Sequence, residues 1–267
     1  IKLNCDGDYG VLQRRVKNDE ELEHLRAVQK ITEATMEMAC SLIARAPADA
    51  EGVLQHEGAV LTSERVRQLI SRFVLDHDCT TLHDSIVVTV PHVADCHHFG
   101  TGPLRKDLPV IVDIFPTHNH THYCGDCTRT VVNGDVSDIV RDIHACVVRA
   151  NAAGCAALQP GTTGQVVHEA VAAVIREGGY SMGAPTSEKD EEWIGMRHGT
   201  GHGIGLDVHE PILLATGGGE ILEREVFTVE PGLYSAIHGG VRVEDMVAVT
   251  ATGHENFNQL HSELDWR

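Results

Sequence analysis

The feature that most constrains this chain is a set of acidic side chains inside runs that otherwise predict buried β-strands. Four carboxylates and one histidine stand within the segments Ile-Val-Asp-Ile-Phe, Cys-Gly-Asp-Cys-Thr-Arg-Thr, His-Gly-Thr-Gly-His-Gly-Ile-Gly, Phe-Thr-Val-Glu-Pro-Gly and Val-Arg-Val-Glu-Asp-Met-Val: Asp113, Asp126, His202, Glu230 and Glu244. A buried carboxylate without a cationic partner costs several kcal/mol. Arg129 and Arg242 are the obvious partners along the sequence, and they are too few to balance the set.

Clustering of these groups around metal ions would remove the imbalance. The four carboxylates carry four negative charges, which two divalent cations would neutralise. For any one acid alone, capping of a loop or pairing with a nearby group is the simpler explanation. Taken together, the five residues favour a dinuclear metal site.

Composition excludes several functional classes. The chain has 21 Lys and Arg against 39 Asp and Glu, a net charge of −18, whereas nucleic-acid binders need a basic face. No apolar run reaches the roughly 18 residues of a membrane span. The chain begins at Ile1 without a signal-peptide pattern, so we expect that a preceding part has been trimmed. Eight cysteines in a chain of this size predict reduced thiols and a cytoplasmic location.

Hydrophobic periodicity and capping residues predict alternating groups of helices and strands. We predict helices over 18–46, 62–76, 136–158 and 164–177, and strands over 85–90, 109–115, 123–132, 194–200, 226–230 and 241–250. The order of two helices followed by strands occurs twice along the chain, which indicates two similar αβ halves. We expect an N-terminal segment over 1–17, one domain over 18–267, and a polar loop over 183–192.

The acidic and histidine segments, in their order, resemble the metal-ligand motifs of the pita-bread (M24) metallopeptidases. That family includes methionine aminopeptidases, prolidases and aminopeptidases P, and the resemblance runs from the first long helix to the Glu244 strand. It implies an α+β pita-bread fold: two pseudo-symmetric αβ halves with a curved, mainly antiparallel sheet covered by helices. It also implies a homodimer.

The resemblance implies a role for each of the five residues. Asp113 is expected to be a terminal ligand of one metal ion, and Asp126 and Glu244 to bridge two ions. His202 and Glu230 are expected to be terminal ligands of the second ion. Oxygen donors with one imidazole favour Mn²⁺ or Co²⁺, with Zn²⁺ or Fe²⁺ as alternatives. A hydroxide between the ions would attack the peptide substrate, and Glu230 would accept the proton.

Three further histidines resemble the outer group of the family's active site. Such residues donate hydrogen bonds to the developing oxyanion or hold the peptide nitrogen. The matching positions are His97, His198 and His209. His92 and His98 compete with His97, and a surface or core histidine is the alternative for each of the three.

Two motifs resemble the proline-specific branch of the family: the segment over 198–210 and the run Val-Glu-Pro-Gly-Leu-Tyr. The interval of 14 residues between Glu230 and Glu244 agrees with that branch. On an alternating strand Arg242 shares a face with Glu244, and the resemblance places it beside the substrate. We therefore predict a metallo-exopeptidase that cleaves an N-terminal Xaa-Pro bond, of aminopeptidase P or prolidase type. Methionine-aminopeptidase-like specificity and a non-catalytic peptide- or partner-binding protein are the alternatives.

Two features depart from the family pattern. Between Asp113 and Asp126 the chain carries alternating histidines that would share one face of an extended strand: His118, His120 and His122. Together with Cys124 and Cys127 they could form a second, softer metal site or a redox pair, with a polar hairpin tip as the default. The additional N-terminal domain of proline-specific relatives does not precede the first helix here. We expect either that it was removed or that loops of this domain select the substrate.

Overall fold

The computed structural model describes residues 10–185 and 192–267. These residues form four α-helices: α1 Asp19–Arg45, α2 Ser63–Leu75, α3 Asp138–Ala157 and α4 Gly164–Glu177. They also form 16 β-strands: β1 Gln55–His56, β2 Ala59–Val60, β3 Cys79–Thr80, β4 Ile86–Val88, β5 Pro109–Ile114, β6 Thr117–His118, β7 Cys127–Val132, β8 Ser181–Met182, β9 Gly195–Met196, β10 Gly201–Gly203, β11 Glu210–Leu214, β12 Val226–Val229, β13 Gly232–Ser235, β14 Gly239–Arg242, β15 Asp245–Thr250 and β16 Gly253–Asn256.

The predicted helices are confirmed to within two residues at each end, and their capping explains the bounds. Glu21 N donates to Asn18 Oδ1 over 3.0 Å, while Asn18 N donates to Glu21 Oε2 over 2.7 Å. This reciprocal pair satisfies amides that the first turn of α1 leaves free. Thr62 caps α2 by accepting from Arg65 N over 3.2 Å.

The predicted αβ repeat is present as two packed halves. In the first half, α1 and α2 cover the antiparallel sheet β4-β5-β7, and the core between them includes Met36, Ile43 and Val112. In the second half, α3 and α4 pack together over the four-stranded sheet β14-β13-β9-β8. A five-stranded sheet, β11-β10-β12-β15-β16, completes this half. Apart from β8 and β9, the strand pairs of the described residues are antiparallel.

The two halves meet where β7 of the first half runs beside the chain at Glu244. Glu244 N donates to Thr128 O over 3.1 Å, forming an isolated antiparallel bridge. Asp126 precedes β7 directly. One backbone junction therefore brings a predicted ligand from each half into the same region.

The strand predicted over 241–250 is wrong as a single element, because the chain changes sheets at Val243 and Glu244. Arg129 fixes the chain at this point between the two strands. Its Nη1 donates to Glu244 O over 2.6 Å, and its Nη2 contacts Asp245 Oδ1 at 2.7 Å. Glu244 is thus held between two strands and does not continue an alternating one.

Two other predicted strands are shorter than expected, and a glycine near each of them approaches another part of the chain closely. The strand over 194–200 reduces to β9, and β10 begins at Gly201, where an added Cβ would lie 1.9 Å from Thr228 O. The strand over 123–132 begins only at Cys127. At Gly125 an added Cβ would lie 2.2 Å from Thr32 Oγ1 of α1. The strands predicted over 85–90 and 109–115 are confirmed with trimmed ends.

Part of the expected N-terminal segment lies within the described residues. Over 10–17 it runs against the second half, with Lys17 N donating to Arg224 O over 3.0 Å. Residues 1–9, and residues 186–191 of the expected polar loop, lie outside the described residues. The seven described cysteines are free and buried, as predicted for reduced thiols. No helix in the described ranges has the length and apolar character to cross a membrane.

Candidate metal centre

A cavity of about 650 Å³ opens between the two halves. The nine residues to which the family resemblance gave a role all contribute to its wall. These residues are Asp113, Asp126, His202, Glu230, Glu244, His97, His198, His209 and Arg242. The side chains come from positions spread over most of the chain and from both halves, so folding alone brings them together.

His202 lies at the centre of the carboxylates. Its Nε2 is 3.8 Å from Asp126 Oδ2 and 3.7 Å from Glu230 Oε1. Its Nδ1 lies 3.0 Å from Gly203 O, which places the ring proton on Nδ1 and leaves the Nε2 lone pair facing the acids. Burial, reinforced by His209, lowers the pKa of His202 to about 3, so the ring is a neutral donor. A neutral imidazole with a free nitrogen is the form that binds metals.

Ligand atoms of three buried residues, Asp126, His202 and Glu244, lie within 4.8 Å of one another. Asp113 is a fourth potential metal ligand, and one of its two carboxylate oxygens accepts a hydrogen bond. Its Oδ2 accepts from Arg242 Nη2 over 2.6 Å, whereas its buried Oδ1 has no hydrogen-bond partner among the described residues. An unpaired buried carboxylate oxygen is costly, and a cation is the partner that would satisfy it.

The electrostatics of the cavity also favour a cation. Burial, followed by repulsion from Glu244, Asp113 and Glu230, raises the pKa of Asp126 well above its ordinary value. Burial and the same kind of repulsion raise the pKa of Glu244. The pKa of Glu230 rises to about 8, mainly through burial, with Arg242 opposing and Asp113 adding to the rise. The orphaned oxygen, the neutral imidazole and these crowded acids together fit divalent metal ions bound to the five predicted residues.

Backbone and neighbouring side chains fix the two acids at the junction. Gln29 of α1 clamps Asp126 from both sides, accepting from Asp126 N over 3.0 Å and donating to Asp126 O over 2.7 Å. Thr128 Oγ1 donates to Glu244 Oε2 over 2.7 Å. Neither Gln29 nor Thr128 was identified from the sequence, because their spacing from the acids carries no local signal.

Arg242 and Glu244 both line the cavity, although the strand ends at Arg242 and simple alternation therefore does not explain it. Arg242 is nevertheless only 3% exposed, and protein groups surround its guanidinium. Besides Asp113, it donates from Nη1 to the hydroxyl of Tyr234 over 3.0 Å and from Nε to Thr128 Oγ1 over 3.2 Å. Arg129, the other candidate partner for the acids, pairs with Asp245 and not with any of the five.

Tyr234 connects Arg242 to His198. The Tyr234 hydroxyl lies 2.7 Å from His198 Nε2, and His198 Nδ1 lies 2.7 Å from Gly199 O. Both ring nitrogens of His198 are therefore engaged by protein groups. Burial, reinforced by the Arg242 charge, lowers the pKa of His198 to about 3 and keeps the ring neutral. The Leu-Tyr pair after Pro-Gly belonged to the branch motif, but it gave no signal for this role of Tyr234.

The other two outer histidines, His209 and His97, also line the cavity. The ring of His209 meets that of His202 edge-on, with centroids 4.2 Å apart. His97 lines the cavity, whereas the rings of its two competitors, His92 and His98, stack on each other at 4.4 Å. Neither of these two contributes to the cavity wall, which favours His97 for the outer position.

The histidines between Asp113 and Asp126 do not line one face of a strand, so that expectation is wrong. After His118 the chain turns, and His122 has a left-handed φ of 64°. His118 Nδ1 accepts from Thr121 N over 3.2 Å inside this turn. Within residues 10–185 and 192–267, the histidines form no three-ligand group with Cys124 or Cys127. The polar hairpin tip is therefore the better description.

A cavity with clustered acids and neutral imidazoles, set between two αβ halves, defines a candidate metal centre. Comparison with known proteins makes this specific. Residues 23–251 match the model of metallopeptidase family M24, and the chain belongs to that family. Its fold is therefore the pita-bread fold that the resemblance implied.

Individual relatives agree with this assignment. The chain is 28% identical to an Xaa-Pro dipeptidase from Bacillus anthracis, with a TM-score of 0.81 over 97% of this chain and 66% of that one. It is 26% identical to an X-Pro aminopeptidase from Thermotoga maritima MSB8, with a TM-score of 0.80 over 96% of this chain and 66% of that one. It is 29% identical to an uncharacterized peptidase of Staphylococcus haemolyticus, covering 91% of this chain and 62% of the relative. The chain thus spans less than two thirds of each relative's length.

The loop that carries His209 depends on a buried ion pair, which gives a first prediction. Lys17 Nζ lies 3.0 Å from Glu210 Oε2, and both residues are buried. Glu210 Oε1 accepts from Leu206 N over 3.1 Å within the same loop. We expect Glu210→Gln to lower the free energy of unfolding by about 3–5 kcal/mol, because it leaves the Lys17 charge uncompensated.

Urea denaturation of the parent protein and of Glu210→Gln measures this loss of stability. The matched control is Glu177→Gln at the exposed end of α4, which should change the free energy of unfolding by less than about 0.5 kcal/mol. Equal stabilities of Glu210→Gln and Glu177→Gln would contradict the role of the pair.

Proposed function

We propose that this chain is the catalytic domain of a metallo-exopeptidase that hydrolyses peptides at an N-terminal Xaa-Pro bond. The observation that carries the proposal is the convergence of all nine predicted residues on one cavity. The family membership and the Xaa-Pro relatives support it. The homodimer and the cytoplasmic location stay predictions.

In this proposal the metal ligands are Asp113, Asp126, His202, Glu230 and Glu244. Two divalent ions, with Mn²⁺ or Co²⁺ favoured, would supply an activated water and polarise the scissile carbonyl. The protein's own groups supply the rest. Glu230, facing the cavity beside His202, accepts a proton from the attacking water and returns it to the leaving nitrogen.

The histidines and Arg242 take distinct parts. His209 and His97 line the cavity, and we assign them the oxyanion and the peptide nitrogen. His198 acts through Tyr234 and Arg242, since both of its nitrogens are engaged. Arg242 orients Asp113 and presents a fixed positive charge in the cavity wall.

The cavity also suits a proline ring. Its wall contains apolar side chains near the polar centre: Leu82, Ile86, Phe99, Phe115, Leu206 and Leu213. A pyrrolidine ring is apolar, and its nitrogen in a peptide bond has no hydrogen to donate. Such a wall accommodates the ring without leaving a polar group unpaired.

Peptide cleavage by the purified chain tests the proposal. With Mn²⁺ or Co²⁺ we expect release of alanine from Ala-Pro or from Ala-Pro-Ala, and little release from Ala-Ala, Ala-Ala-Ala or Met-Ala-Ser. Cleavage of the dipeptide alone indicates a prolidase, and turnover of the tripeptide indicates an aminopeptidase P. Preference for Met-Ala-Ser, or no metal-stimulated cleavage of any peptide, rejects the proposal.

Metal analysis separates catalysis from a pure binding role. We expect about two Mn²⁺ ions per chain after loading with Mn²⁺ and dialysis, since five ligands serve two ions. A peptide-binding protein without catalysis need not retain them. Loaded protein with two ions and no hydrolysis would favour the binding alternative.

A further inference from the structure

A second group of metal-ligand side chains lies on the cavity wall, outside the five residues already assigned. Ligand atoms of three consecutive residues, Asp95, Cys96 and His97, lie within 4.8 Å of one another. In the described residues, this is the one other group of its kind besides Asp126, His202 and Glu244. Its donor set differs from the main centre because it contains a sulfur.

The distance between thiol and imidazole matches a shared ion. Cys96 Sγ lies 3.8 Å from His97 Nδ1. Zinc–sulfur bonds of about 2.3 Å and zinc–nitrogen bonds of about 2.0–2.1 Å at a tetrahedral angle require about 3.6 Å between these atoms. The two donors are therefore almost at binding distance without rearrangement.

The local backbone explains why three neighbouring side chains converge. They follow the 3₁₀ turn His92–Ala94, and His98 N donates to Asp95 O over 3.0 Å to close a second turn. The side chain of Asp95 is drawn back, since its Oδ1 accepts from His97 N over 3.1 Å. Arg197 anchors the first turn by donating to Ala94 O over 3.0 Å.

An ion could reach this group. Cys96 and His97 line the cavity, while Asp95 and His97 are open to solvent. The carboxylate and the thiolate together balance a divalent charge. The cationic neighbours are Arg197, held at the backbone of the turn, and Arg242, whose Nη2 is paired with Asp113.

We propose that Asp95, Cys96 and His97 form a third metal site, of the zinc class, on the wall of the substrate cavity. Thiolate, imidazole and carboxylate are the donors of tetrahedral zinc sites, whereas oxygen-rich centres suit harder ions. An ion bound to His97 Nδ1 takes that ring out of the substrate-binding role that the proposed function assigns to it. Excess zinc therefore inhibits the hydrolase, a consequence that rests on the proposed function.

Cobalt absorption tests the site independently of activity. A Co²⁺–thiolate bond gives a charge-transfer band in the near ultraviolet, and the five residues of the main centre contain no sulfur. In a titration of the full chain, we expect the band to develop with the third equivalent of Co²⁺ and to disappear on addition of Zn²⁺. Absence of the band from a chain that binds three equivalents overturns the proposal.

Matched variants assign the band. Cys96→Ser should abolish it and Asp95→Asn should weaken the third binding step at least about tenfold. Cys124→Ser, which changes the other cysteine on the cavity wall, should leave it unchanged. Loss of the band in Cys124→Ser, or its survival in Cys96→Ser, would reject the assignment.

Inhibition of peptide cleavage by zinc provides the last test. We expect Zn²⁺ beyond two equivalents to reduce parent activity at least about tenfold and to have little effect on the activity of Cys96→Ser relative to its own zinc-free value. A cobalt–thiolate band in a chain that cleaves no peptide would leave the third site standing and reject the proposed function. Equal inhibition of both proteins would overturn the regulatory consequence.

Discussion

Glu230→Gln is expected to lower kcat/KM for an Xaa-Pro peptide by about 10²–10⁴-fold, the range that a general base contributes. The amide keeps an oxygen facing His202 and almost the same volume, but it cannot accept a proton. The position of the carboxylate supports this effect, since Glu230 Oε1 lies 3.7 Å from His202 Nε2 at the centre of the cavity. Steady-state hydrolysis with Mn²⁺-loaded proteins provides the measurement.

The matched control is Glu223→Gln, at an exposed glutamate shortly before β12, the strand that Glu230 follows. It should retain parental activity. Bound metal is measured in both variants, so that a loss of activity through failed loading is recognised. Parental turnover by Glu230→Gln with its full metal content would exclude Glu230 as the base.

Removing metal should make the stability of the protein strongly pH-dependent, which is the second large effect. Glu230 has an ordinary pKa of 4.5 that rises to about 8 in the folded protein, mainly through burial. Between these values the unfolded chain releases a proton that the metal-free folded chain must keep. Stability contributed by the protonated group is therefore full below about pH 4.5 and is lost as the pH rises towards 8.

Asp126 and Glu244 shift in the same direction and add to the effect. We expect the Tm of chelator-treated protein to fall by more than about 5 °C between pH 5 and pH 8, because each kcal/mol moves Tm by about 2–4 °C in a chain of this size. The Tm of metal-loaded protein should fall much less over this pH range, because bound cations offset the carboxylate charge. Thermal unfolding monitored by circular dichroism gives both curves.

Glu244→Gln tests the origin of the dependence. This variant removes one of the repelling carboxylates, so without metal it should be more stable than the parent at pH 8 while losing metal affinity. A metal-free parent whose Tm does not change over this pH range would contradict the crowding of charge in the cavity.

Local patterns predicted the elements that local interactions stabilise. Helix α1 begins after Asn18 and α4 spans the predicted residues, because caps and apolar periodicity act within a few positions. The strands around the centre were predicted less well. Arg129, which contacts the chain at the Glu244 break, and Thr228, which lies close to Gly201, are both far away in the sequence.

The sequence by itself indicated which acidic side chains need a common partner. A charged side chain amid apolar neighbours is visible in the linear order, because its burial cost must be met by some partner. The family resemblance then supplied a role for each position. The nine residues named in this way are all among those that line the cavity.

Only the tertiary structure decided how these side chains are held. The Arg242–Asp113 contact joins residues 129 positions apart, and Gln29 reaches Asp126 across 97 positions. The hydroxyl of Tyr234 contacts His198 Nε2 across 36 positions. Such contacts depend on how whole sheets and helices pack, and neither periodicity nor spacing along the chain encodes the direction of a side chain in that packing.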